Sequence, residues 1–122
     1  KWMPVTPSNK KKLKEAVVST PLTFGTVWDN SFEWAFYMNP KPDVIYFMTD
    51  GNANKNLQGM EIIKSKKGKT KIYTIGYGAP AGAKKPLEEI AAITGGKSKF
   101  VEMDQIRLME KNIDDEKKQA MN

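Results

Sequence analysis

Apolar residues recur along this chain in two rhythms, steps of three and four or short unbroken runs, and the alternation between them predicts the elements. After an extended lead-in over residues 1–8, Leu13, Ala16 and Val17 predict a helix from about Lys10 to Val18, with Ser8 or Asn9 as its cap. Pro21 stops it, because the residue before a proline is pushed out of the helical region. Phe24-Gly25-Thr26 predicts a loop, and Phe32, Ala35 and Phe36 place a second helix over Asp29 to Met38. Asn39-Pro40-Lys41-Pro42 breaks that helix before a strand, Val44 to Met48. The strand's apolar residues do not alternate, which predicts burial on both faces, as in a parallel sheet covered by helices.

The remainder repeats this scheme. Met60, Ile62 and Ile63 predict a helix over Leu57 to Lys66, stopped by Gly68. Lys71 to Ile75 predicts a second strand, closed by Gly76-Tyr77-Gly78. Pro86-Leu87-Glu88-Glu89 predicts a helix start with proline in the first turn, Leu87, Ile90, Ala91 and Ile93 facing inward, and an end at Gly95-Gly96. Ser98 to Val101 gives a third strand. A last helix starts near Asp104 with an apolar stripe of Ile106, Leu108, Met109 and Ile113, and residues 114–122 read as a frayed charged tail. Strands alternating with helices imply right-handed crossovers, and thus a three-layer α/β domain with a doubly wound parallel sheet. Three strands make that sheet narrow.

Composition then removes whole classes of chemistry. The 122 residues suit one domain, and the chain has neither cysteine nor histidine. A disulfide framework, a thiolate zinc site and a histidine-based triad are therefore absent, and any metal would be a hard cation held by oxygen. The net charge of +6 comes from 19 lysines and one arginine. A base-reading protein uses arginine for bidentate contacts, so no specific nucleic-acid partner is expected. The lysine clusters, Lys10-Lys11-Lys12 with Lys14 and the run from Lys64 to Lys71, contain no aromatic residue to stack on a base. No apolar run reaches the ~20 residues of a membrane span. A cytoplasmic, periplasmic or cell-surface setting is equally compatible.

Candidate chemistry gathers where the first strand ends, at Thr49-Asp50-Gly51. Ligands of open parallel sheets bind at the carboxyl ends of the strands, where Asp50 falls. Asp-Gly is also a common turn pair whose carboxylate bonds nearby backbone N–H groups. Both readings of Asp50 stand at this level.

A wider pattern bears on the choice. "PDVIYFMTDG", then "KIYTIGYG", then "LEEIAAITGGKSKFV" together resemble the C-terminal half of a von Willebrand factor type A domain, over roughly Thr20 to Ile113. The resemblance is strongest to bacterial members with Trp-x-Pro ahead of a basic helix, as Trp2-Met3-Pro4 stands here. It implies a Rossmann-like fold and a metal-ion-dependent adhesion site. In that family an Asp-x-Ser-x-Ser loop, a threonine and the aspartate of the Thr-Asp-Gly strand end hold a divalent cation, Mg²⁺, Mn²⁺ or Ca²⁺. A carboxylate of a partner protein completes the coordination.

By resemblance Asp50 matches the aspartate and Thr26 the threonine, although Phe24 stands where the family more often has glycine. Thr26 reads equally as an ordinary loop hydroxyl. Gly25, Thr26, Asp50, Gly51 and Asn52 would face the partner. Asp-x-Ser-x-Ser does not occur in the chain. The expectation is a partial domain whose isolated metal site is weak or absent, and whose exposed half-sheet drives self-association. A minimal variant of the domain is the alternative.

Function is expected to be non-catalytic protein–protein interaction through that cation, or else a metal-independent scaffold associating through its sheet. Nothing supplies a nucleophile with its base. Among acidic clusters, Glu88-Glu89 would sit in a helix first turn, where acids complement the helix dipole, and Asp114-Asp115-Glu116 lies in the tail.

Overall fold

A computed structural model describes residues 2–21, 27–51 and 57–121. Its element order is α1 (Pro7–Ser19), α2 (Asp29–Tyr37), β1 (Val44–Thr49), α3 (Leu57–Lys66), β2 (Lys71–Tyr77), α4 (Ala81–Thr94), β3 (Ser98–Val101) and α5 (Met103–Ala120). The strands form one parallel sheet in the order β1-β2-β3, with Val44 beside Lys71 and Thr74 beside Ser98. The chain is thus α/β, and each strand lies next to its successor.

One core holds this arrangement together. Trp28 and Phe32, at the start of α2, close on Phe47 of β1 with ring centroids 5.0 and 4.8 Å away. Ile63 of α3, Ile72 of β2, and Leu87 and Ile90 of α4 complete a cluster of fully buried side chains. The threonine hydroxyls inside it are satisfied. The Thr74 hydroxyl bonds the Leu87 carbonyl at 3.0 Å and the Ser98 hydroxyl at 2.8 Å, joining β2, α4 and β3.

Thr94 extends the short strand β3. Its hydroxyl accepts the Ile72 N–H at 3.0 Å and donates to the Ile90 carbonyl at 2.8 Å, giving β2 a partner before β3 begins. Gly96 makes the close approach possible, since a Cβ there would lie 1.8 Å from the Ile72 carbonyl oxygen.

Burial on both faces of β1 does not occur. Ile45, Phe47 and Thr49 face the helices, whereas Val44, Tyr46 and Met48 are exposed. Topology explains the difference: with strands in sequential order, right-handed crossovers put α3 and α4 on the same side, and α2 joins them there. The second helical layer of a doubly wound sheet is therefore missing over β1 among the described residues.

Other elements depart from the pattern in smaller ways. α1 starts at Pro7 with Thr6 as its cap, the threonine hydroxyl accepting the Asn9 N–H at 3.2 Å, so neither Ser8 nor Asn9 is the cap. α4 starts five residues before Pro86, which lies inside it. The ring deprives only the Gly82 carbonyl of its helical partner, and Gly82 is exposed to water, while buried Ala83 anchors the early turn. α5 stays helical to Ala120 where a fray from Asp114 was expected. α1 has no buried residue, and α5 buries Ile106 alone.

Candidate functional site

The carboxyl ends of all three strands lie side by side, because the sheet is parallel and in register. Thr49 is the last paired residue of β1, opposite Gly76 of β2, which places Asp50 at the mouth of the sheet. Thr49 is buried and Asp50 exposed. The turn that follows is held by threonine: its hydroxyl accepts the Gly51 N–H at 3.1 Å. The Gly51 N–H is thus taken by Thr49 and not by Asp50. Its carboxylate has no hydrogen-bond partner among the described residues.

Next to it, Tyr77-Gly78 leaves β2 through a left-handed glycine (φ +62°) whose N–H bonds the Val101 carbonyl at 2.8 Å. A Cβ on Gly78 would collide with Met103 and crowd Ile106, so this glycine seats the first turn of α5. At the third strand end Glu102 accepts a 2.8 Å ion pair from Lys84, and its N–H is bonded by the Gln105 side chain at 3.2 Å. Asp104 accepts the Gln105 N–H at 2.9 Å. Three acidic residues thus sit at the ends of strands, but Glu102 is engaged by lysine and Asp104 by its own helix. Among the described residues no three metal-ligating side chains come together.

Of the residues expected to face a partner, Asp50 and Gly51 are at the mouth of the sheet. Gly25, Thr26 and Asn52 lie outside the described residues. The same mouth holds two groups that the sequence did not single out, at the start of α2. The Trp28 indole N–H and one carboxylate oxygen of Asp29 are buried with no partner among the described residues. That Asp29 oxygen lies against Gly59, in the first turn of α3, at 2.9 Å from where a Cβ would stand. No periodicity signal marks Asp29, because its burial depends on a glycine thirty positions away.

Glu88 and Glu89 do not form an acidic helix start, since α4 begins at Ala81. Glu89 instead pairs with Lys64 of α3 at 3.5 Å, with both side chains about half exposed, so the pair adds little stability. At the opposite end of the sheet, a groove of about 610 Å³ is lined by Glu33, Trp34, Phe36, Tyr37 and Lys66. Trp34 and Tyr37 stand largely exposed beside it. No helix among the described residues is long and apolar enough to cross a membrane. Comparison with protein-family models, with curated proteins and with solved structures gives no match.

Proposed function

We propose that this chain is a non-catalytic protein-interaction module of the von Willebrand factor A type, the C-terminal part of a Rossmann-like domain. The observation that carries the reading is the position of Asp50. It is an exposed carboxylate, with no hydrogen-bond partner among the described residues, at the carboxyl end of a parallel sheet. A carboxylate so placed suits a divalent cation, Mg²⁺, Mn²⁺ or Ca²⁺, with remaining positions supplied by other oxygen ligands and by a partner protein.

One carboxylate and one hydroxyl hold Mg²⁺ poorly, because this ion dehydrates reluctantly and requires octahedral geometry. The chain alone therefore binds divalent metal weakly. Paramagnetic Mn²⁺ detects weak occupancy: amide resonances around Asp50 and Gly51 should broaden, and Asp50→Ala should remove the effect. Broadening elsewhere, or broadening that survives in Asp50→Ala, would overturn the assignment.

A second reading rests on a different observation, the exposure of Val44, Tyr46 and Met48 along the edge strand. Apolar side chains in a row beside unpaired backbone form an association surface. Here the chain acts as a scaffold that needs no metal and associates with its own kind. Association unchanged by EDTA and by Asp50→Ala would favour this reading over the first.

A further inference from the structure

We infer that the uncovered sheet face is the seat for helix α5 of a second copy of this chain, each copy covering the other. The inference rests on the second reading above and names its occupant.

The register places Val44, Tyr46 and Met48 on one face with Lys71, Tyr73 and Ile75, and with Lys99 beside Ile75. Tyr46 and Tyr73 stack there at 5.4 Å, forming an aromatic floor that no helix among the described residues covers over β1. A sheet face of this kind is normally closed by an amphipathic helix. The molecule has two helices with unused apolar stripes.

Charge decides between them. The stripe of α1, Leu13 and Val17, is bordered by Lys10 and Lys14, and would bring lysines onto a face that already carries Lys71 and Lys99. The stripe of α5, Met109 and Ile113 continuing from Ile106, is bordered by Glu110 and, near the helix end, Lys117 on one side and by Glu116 on the other, so two acids flank it against one lysine. None of Lys71, Lys99, Glu110 and Glu116 is in an ion pair among the described residues. Opposite charges across an interface fix orientation and speed encounter.

Within its own chain α5 is tied at its first turn, where Met103 and Ile106 pack over Gly78, and beyond Ile106 none of its residues is buried. An exchange between two copies satisfies both surfaces at once, in the self-complementary manner of a two-fold dimer. The area is adequate. Val44, Tyr46, Met48, Tyr77, Met109 and Ile113 leave on the order of 600 Å² exposed per copy, and their polar borders bring this near the ~800 Å² per partner of a standard interface.

The absence of cysteine allows a direct test. Copies carrying Tyr46→Cys are mixed with copies carrying Ile113→Cys, both at exposed positions, and mildly oxidised. A disulfide-linked heterodimer is expected, exceeding several-fold the homodimers formed by either variant alone, together with a wild-type dimer by light scattering. A dimer by scattering without the Tyr46–Ile113 link overturns the exchange and leaves the scaffold reading intact. A monomer, or a double variant that closes its disulfide within one chain, overturns both. Either outcome leaves the Mn²⁺ test at Asp50 to judge the cation reading by itself.

Discussion

Tyr46 and Phe47 are neighbours on one strand, both aromatic, yet they belong to different regions of the molecule. Phe47 lies between Trp28 and Phe32 on the helical side of the sheet, while Tyr46 touches Tyr73 and is 73% exposed. Strand pleating sends them to opposite faces, and the order of strands covers only one of those faces. Hydrophobicity alone therefore does not bury a residue; a helix must arrive on its side.

Substitutions on the two faces should separate sharply. Leu87→Ala, at a fully buried position of the covered face, should cost about 3 kcal/mol in urea unfolding through lost burial and a residual cavity. Thr94→Val should cost about 1–3 kcal/mol in the same assay, because it strands the Ile72 N–H in the interior without a partner. On the open face, Tyr46→Ser should change monomer stability by only about 0.5 kcal/mol, as surface substitutions do, while abolishing the dimer in sedimentation. A large loss of monomer stability in Tyr46→Ser would erase the contrast between the faces.

Much of the covered region was legible in the sequence. Phe32 with Phe36, Ile63, and Leu87 with Ile90 declared their helical faces by spacing, and apolar runs between glycine and proline breaks placed strands over 44–48, 71–75 and 98–101, the first two running one and two residues further in the structure. The open face was not legible. Val-Ile-Tyr-Phe-Met is apolar at every position, so its pattern is the same whether one side or both sides are buried. Only strand order distinguishes the cases, and strand order is not a local property.

Legibility was also partial at the candidate site. The run into Thr49-Asp50-Gly51 located the end of β1 and its exposed carboxylate. The Thr49 bond within that triplet escaped, because threonine and aspartate are both competent turn caps and their spacing alone does not say which hydroxyl or carboxylate takes the Gly51 N–H. Pro86 misled for a related reason. Proline marks a helix start statistically, but it is tolerated further in where the carbonyl it orphans can be hydrated.

Sequential strand order also bears on how the chain reaches this structure. Thr70 meets Pro42 across 28 residues, and Thr74 meets Ser98 across 24, so each pairing closes one strand–helix–strand loop of similar length. No contact between these strands waits for a remote segment to be delivered. Loop-closure entropy is then met in two comparable instalments rather than one long search, with β2 taking part in both. The covered half can thus assemble progressively along the chain, from β1 through β2 to β3.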